Sequence, residues 1–348
     1  MRILVKGANW IGDAVMSIPA VRQIRAAFPG SFIALHTRKW AEGVFGDTDL
    51  FDQIISFDPA GSKMRSVIDQ SNELRKHSFD AVVLLPNSFE SALTVAMAGI
   101  PRRFGYRTDG RRTFLTDSIP VPDWKSQRHE SEFYSNLAEF MIQAMGGSKS
   151  EVSSSRLLAV SEEGKRLARE QLRSNGISLD RPIVAVGAGS TNSMAKRWPT
   201  EYFAQLSDSL VSELGAQIVL LGSLQELDVG TKLASLCRAS VYDITGKTDL
   251  FSAKAILGTV DLFVSNDMGL AHIAAALGTA TLTIFGPTNE SATAPLGPNA
   301  RFVREVVECS PCMLRECPID HRCMRLMSPD RVLRIVVEML KDRRESND

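Results

Sequence analysis

The chain has 348 residues, 44% of them hydrophobic and 23% charged, with 40 Lys and Arg against 40 Asp and Glu. That length suits two domains of roughly 150 residues each, and the composition excludes a disordered chain. With no net charge there is no global field to recruit nucleic acid or a membrane, so an anionic partner has to be held by a local patch. The opening Met1-Arg2-Ile3-Leu4-Val5 runs straight into a strand pattern, without a charged segment, a long apolar stretch and a cleavage site, and reads as the start of a cytoplasmic protein.

In chain order, residues 2–6, 32–36 and 80–85 read as buried strands, with helices predicted over 13–28, 61–76 and 88–98 between them. This alternation predicts βαβ units and a parallel sheet. A long helix over 128–145 closes the first half. Residues 146–155, Gly-Gly-Ser-Lys-Ser-Glu-Val-Ser-Ser-Ser, have the composition of a linker. The alternation then restarts, with strands predicted at 182–186, 217–221, 261–264 and 281–285. Helices are predicted at 200–214, 226–237, 251–257, 270–277 and 328–343. Residues 268–289 carry no Asp, Glu, Lys or Arg, but His272, Gly278 and Gly286-Pro287 interrupt them, so a buried helix, a turn and a strand fit better than a membrane span. Two domains follow, residues 1–155 and 156–348, each a doubly wound α/β sheet, with a cleft expected at the C-terminal edges of the strands.

The residues just after each strand are therefore the candidates for chemistry. Gly7-Ala8-Asn9-Trp10-Ile11-Gly12-Asp13 follows the first strand; Asp13 reads either as a helix N-cap or as a carboxylate acting as general base. Val186-Gly187-Ala188-Gly189-Ser190-Thr191, followed by Lys196, offers backbone N–H groups, hydroxyls and a point cation suited to a pyrophosphate. It is neither a P-loop nor a dinucleotide fingerprint. Ser265-Asn266-Asp267-Met268-Gly269 again joins a strand to a helix start, where an anion is favoured, and His272 lies one turn in.

Arg102, Arg103, Arg107, Arg111 and Arg112 lie within eleven residues, placed by this reading after a strand, and are suited to gripping phosphates or carboxylates. Cys309, Cys312, Cys317 and Cys323 fall within fifteen residues, with His321 among them. Zinc, an iron–sulfur cluster or reduced thiols all remain open for that spacing.

Together these pieces resemble the ADP-heptose:lipopolysaccharide heptosyltransferases, glycosyltransferase family 9. The resemblance rests on Gly7 to Asp13, Leu85-Pro86-Asn87-Ser88-Phe89, Lys196-Arg197-Trp198-Pro199, Leu221-Gly222-Ser223 and Ser265 to His272. The forms around Asn9 and Leu85 are more similar to the second heptosyltransferase than to the first. The resemblance implies a GT-B fold: two Rossmann-like domains facing across a cleft, with the last helix packing back on the first. It implies that Asp13 is the base and that Ser190, Thr191, Lys196, Met268 and Gly269 hold the pyrophosphate. Glu226 and Thr248 would contact the nucleoside, Asp267 the heptose, and His272 would support its loop. Asn87, Arg103, Arg107, Arg111 and Arg112 would meet the acceptor. The implied partners are ADP-heptose and a heptosyl-Kdo-lipid A at the inner membrane surface, with no nucleic acid. Transfer would be inverting and require no catalytic metal. A first heptosyltransferase, another sugar, a nucleotide-sugar epimerase on the same fold, and a metal-binding regulator built on the cysteines are the rival readings.

Overall fold

The computed structural model describes residues 1–59, 61–148 and 157–345, so most of the linker read at 146–155 lies outside the described residues. The chain divides into two compact units, Met1–Ser154 and Ser155–Asp348.

The first unit runs β1 (Arg2–Lys6), α1 (Ile11–Met16), α2 (Ile18–Ala27), β2 (Phe32–Arg38), α3 (Glu42–Phe45), β3 (Gln53–Phe57), α4 (Lys63–Arg75), β4 (Ala81–Leu84), α5 (Phe89–Met97), β5 (Arg102–Tyr106), β6 (Asp117–Ile119) and α6 (Glu130–Ala144). All its strand pairs are parallel, in the order β3-β2-β1-β4-β5-β6. The central strands β1 and β4 are buried apolar runs because helices cover both faces of such a sheet.

Two expectations are corrected here. The helix predicted at 13–28 is two helices, split at Ser17, whose N–H bonds Asp13 O and whose Oγ bonds Ala14 O at 2.7 Å. Pro19 has no N–H to continue the ladder back to Val15, so a fresh helix starts there. The arginine cluster does not simply follow a strand: Arg102 and Arg103 are the first two residues of β5.

Lys6, the last residue of β1, is buried. Its Nζ lies 2.8 Å from His36 Nδ1 and 2.9 Å from Gln70 Oε1, over the ring of Phe57. Burial, with Arg38 adding repulsion, holds this amine well below its ordinary range, and burial does the same to His36.

The second unit runs α7 (Glu162–Ser174), β7 (Ile183–Gly187), α8 (Thr200–Leu214), β8 (Gln217–Leu220), α9 (Leu227–Leu236), β9 (Val241–Asp243), α10 (Leu250–Leu257), β10 (Leu262–Asn266), α11 (Gly269–Leu277), β11 (Ala280–Phe285), α12 (Glu290–Thr293), β12 (Ala300–Arg304), α13 (Arg322–Arg325) and α14 (Pro329–Glu345). Its sheet is again parallel, in the order β12-β11-β10-β7-β8-β9. The charge-free stretch resolves into α11, β11 and the turns beside them. Among the described residues no helix is long and apolar enough to cross a membrane. Trp198 anchors the core, its ring buried and its Nε1 donating to Met327 O at 2.9 Å. Within this unit α14 packs on α8, β10 and β11.

Both sheets share one topology. Each first strand, β1 or β7, has its second strand on one side and its fourth-in-order neighbour, β4 or β10, on the other. The connections reverse direction there, so the loops leaving those strands splay apart and open a crevice at their C-terminal ends. The Gly7–Asp13 and Leu85–Ser88 segments leave β1 and β4; the Ala188–Lys196 and Asp267–Gly269 segments leave β7 and β10.

Candidate functional site

In the second unit, a short 3₁₀ turn, Met194–Lys196, carries Lys196. Its Nζ lies 2.7 Å from Asp267 Oδ2, with side-chain exposures of 27% and 6%. Thr288 Oγ1 donates to the same carboxylate oxygen at 2.8 Å. Asn266, the last residue of β10, ties the two loops together: its Oδ1 accepts from Trp198 N at 2.8 Å and its Nδ2 donates to Ala188 O at 2.7 Å. Met268, two residues on, is the extended N-cap of α11 and gives that helix no side-chain cap. The first N–H groups of α11 therefore receive no cap from that side chain, just after the Asp267 that Lys196 meets. This is an arrangement suited to an anion. His272 lies buried within α11.

Ser190 is buried, and its carbonyl accepts from Arg197 Nη2 at 3.0 Å; Thr191 is exposed, with Oγ1 3.5 Å from Ser223 Oγ. Glu226 closes the other side. Its Oε2 accepts from Ser223 N at 2.8 Å in a capping box, while Oε1 is buried and without a hydrogen-bond partner. That acceptor sits in a small cavity lined by Ala188, Gly189, Leu221, Gly230 and Thr245. Gly189 is required here, since a Cβ would come within 2.3 Å of the Glu226 carboxyl. A buried oxygen left unbonded is costly, and a ligand hydroxyl or amine would satisfy it. Thr248 is half-buried just before Asp249, the N-cap of α10, in the loop where Gly246 N bonds Gly222 O.

In the first unit, Asp13 is not the N-cap it could have been. Trp10 holds that position, and Asp13 lies in the first turn of α1. Its Oδ1 accepts from Tyr134 Oη at 3.1 Å, across from α6. Burial, reinforced by the Asp13 and Glu130 charges, pushes the Tyr134 phenol well above its ordinary range, so it remains a hydrogen-bond donor. Trp10 beside it is 59% exposed, an aromatic face offered to solvent at the mouth of the loop.

The arginines divide. Arg102 pairs with Asp117 through two hydrogen bonds, and Arg103 donates to Phe114 O at 2.6 Å and to Ile100 O. Arg107 is exposed and reaches the Ser118 carbonyl at 2.9 Å. Arg111 is wholly buried, donating to Tyr106 O, Pro86 O and, at 3.0 Å, to Asn87 Oδ1. Burial lowers it to about 10, so it remains a cation at neutral pH. Its bond to Oδ1 orients Asn87 in the loop after β4. Arg112 is exposed and has no such partner.

Cys309 and Cys312 are exposed, Cys317 is half-buried, and Cys323 is buried. Burial, with the nearby Cys309, Cys317 and Cys312, pushes the Cys323 thiol up to about 11. Among the described residues no group of three or more His, Cys, Asp or Glu side chains is arranged to hold a metal ion.

Two site residues escaped the sequence reading. Thr288 had a usable signal, since Gly286-Pro287-Thr288 also follows a strand. Tyr134 had none, lying on a helix 121 residues from Asp13.

Residues 68–322 match the family model of glycosyltransferase family 9 (heptosyltransferase). The chain is 30% identical over 312 residues to the lipopolysaccharide heptosyltransferase 2 of Escherichia coli, covering 87% of this chain and 88% of that protein. It is 26% identical over 352 residues to the lipooligosaccharide heptosyltransferase 2 of Haemophilus ducreyi, covering 98% and 99%. The solved structure of the E. coli ADP-heptose LPS heptosyltransferase II superposes with a TM-score of 0.84 at 28% identity, covering 98% of this chain and 99% of that one.

Proposed function

The chain belongs to glycosyltransferase family 9, and on that premise we propose that it transfers L-glycero-D-manno-heptose from ADP-heptose to a heptosyl-Kdo-lipid A, with inversion, in lipopolysaccharide core synthesis. The observation that carries the reading in the chain itself is the Lys196–Asp267–Thr288 constellation beside the start of α11, at the point where the second sheet reverses its winding.

The reaction distributes over named groups. Lys196, the Ser190–Thr191 turn and the backbone at Met268 and Gly269 hold the diphosphate, whose charge grows as it leaves. Glu226 Oε1 and Thr248 receive the nucleoside, Asp267 takes sugar hydroxyls, and buried His272 supports that loop. The acceptor hydroxyl attacks the anomeric carbon from the face opposite the diphosphate. As the new C–O bond forms, the old one breaks with its electron pair going to ADP. Asp13, oriented by Tyr134, takes the hydroxyl proton. No step is routed through a metal. Asn87, Arg107 and Arg112 meet the anionic acceptor, with Arg103 and Arg111 shaping the loops that carry them. The acceptor is lipid-borne, so the enzyme would work at the cytoplasmic surface of the membrane that holds it.

Mass spectrometry of the acceptor after incubation with ADP-heptose tests the reading. The expected result is a gain of one heptose with stoichiometric ADP, seen only when both substrates are present. Conversion of the donor's sugar without acceptor would instead identify an epimerase, and binding of UDP as tight as ADP would overturn the donor assignment.

A further inference from the structure

The cysteine-rich segment has no part in the transfer just described, yet its hydrogen bonds converge on that chemistry. It makes two sets of bonds to the loops. Arg315 O accepts from Ala195 N at 2.9 Å and from Ser193 Oγ at 3.2 Å, and His321 Nε2 lies 2.6 Å from Ala195 O. A carbonyl only accepts, so this ring nitrogen carries the proton. Ala195, the residue before Lys196, is thus held by the segment at both its N–H and its carbonyl. On the far side, Met313 N donates to Pro287 O at 2.8 Å and Ser310 Oγ donates to Gly286 O, immediately before Thr288. One strap therefore grips the loop carrying Lys196 and the loop carrying Thr288, the two ligands of Asp267.

The strap does little for the core. Met313 is 63% and Ile319 60% exposed, and Cys309 and Cys312 are exposed as well. A segment that leaves its apolar side chains in water while aiming its polar groups at two loops is built to fix those loops. His321 also holds a backbone φ of 57°, a left-handed conformation that non-glycine residues adopt at a cost. At that φ its ring meets Ala195 O.

We propose that the segment from Cys309 to His321 is a strap that sets the donor site, and that His321 is the positioning residue for Lys196, acting through the Ala195 carbonyl. This rests on the donor reading of that site. It gives the sequence's one unabsorbed motif a role that needs neither metal nor disulfide.

The test is calorimetric titration of ADP into the full chain, with melting temperature measured alongside. His321→Gly removes the ring and suits the left-handed backbone, so the fold is kept. It should bind ADP about two- to tenfold more weakly, the net worth of one hydrogen bond, without a lower melting temperature. His321→Gln, whose amide nitrogen can donate to the same carbonyl, should recover most of the affinity. Lys196→Ala and the double variant Lys196→Ala/His321→Gly should bind ADP equally, because a residue that acts through Lys196 has nothing to add once Lys196 is gone. Unchanged affinity in His321→Gly, or additive losses in the double variant, would overturn the positioning role alone. A wild-type chain that binds no ADP would overturn the donor reading and this inference together.

Discussion

Asp267→Asn separates the nucleotide part of the donor from its sugar. In the resting chain the Asp267 carboxylate, 6% exposed, is met by the Lys196 ammonium at 2.7 Å and the Thr288 hydroxyl at 2.8 Å. On the proposed reading a diphosphate would draw Lys196 away. A carboxylate so far out of water then needs new donors, and the hydroxyls of a bound sugar supply them, whereas ADP alone supplies none. The resting pair therefore weakens ADP more than ADP-heptose. Asn keeps the shape and an oxygen for Thr288 but lets Lys196 go without penalty. A charge-assisted bond is worth about 1.5–3 kcal/mol, and Lys196, partly in water, keeps only part of that, so ADP should bind about three- to tenfold more tightly. For ADP-heptose the lost carboxylate–hydroxyl bonds should lower kcat/KM by at least about tenfold. Calorimetry with ADP and steady-state transfer with ADP-heptose read the two effects. Weaker ADP binding in the variant would refute the exchange, because it would mean that Asp267 helps to hold the nucleotide.

Asp13→Asn keeps an acceptor for Tyr134 and should lower kcat by roughly 10²–10⁴-fold, the usual weight of a general base, while ADP affinity holds; transfer at the wild-type rate would remove Asp13 from the mechanism. Arg112→Ala should raise acceptor KM more at low than at high salt. Arg111→Ala should instead destabilise the fold by about 1–3 kcal/mol through the carbonyls it leaves unbonded; unchanged melting would contradict its structural role. Cys309→Ser/Cys312→Ser should retain transfer activity, and metal analysis of chelator-free protein checks whether those thiols carry an ion. Lys6 is held neutral more readily in the fold than in the unfolded chain, so below its ordinary value near about 10.4 the unfolded chain binds more protons and stability rises with pH. Because the Cys323 thiol, raised to about 11, pulls the other way, the comparison is with Lys6→Met: the wild-type urea midpoint should rise more, or fall less, than the variant's as pH increases toward about 10; identical profiles would show the amine charged in the fold.

What could be read from the sequence follows from where each element lies in its sheet. The strands β1, β4, β7, β8, β10 and β11 are continuous apolar runs because both faces are covered. The strands not predicted, β3, β5, β6, β9 and β12, lie toward the edges of their sheets, where polar residues are tolerated. β5 opens with two arginines, and β9 is three residues long. The loops that carry the site were legible because glycines and hydroxyls follow strand ends in a doubly wound sheet. What each arginine does was not. Five guanidinium groups look alike in a sequence, and only the fold puts Arg111 inside, beneath Asn87, while leaving Arg112 in water.

The two candidate carboxylates, one in each unit, show how surroundings distinguish one residue type. Asp267 meets an ammonium at 2.7 Å and a hydroxyl at 2.8 Å. That pairing suits the proposed acceptor of sugar hydroxyls. Asp13 receives the hydrogen bond of a phenol, and the environment of Tyr134 keeps that phenol protonated. The bond fixes the direction of the carboxylate oxygen it meets, as the proposed general base requires. On the proposed reading environment rather than residue type assigns base and ligand, in the same place on each sheet, where the strand order reverses. On that reading the unit with Lys196 answers the diphosphate, and the unit with Asp13 answers the hydroxyl.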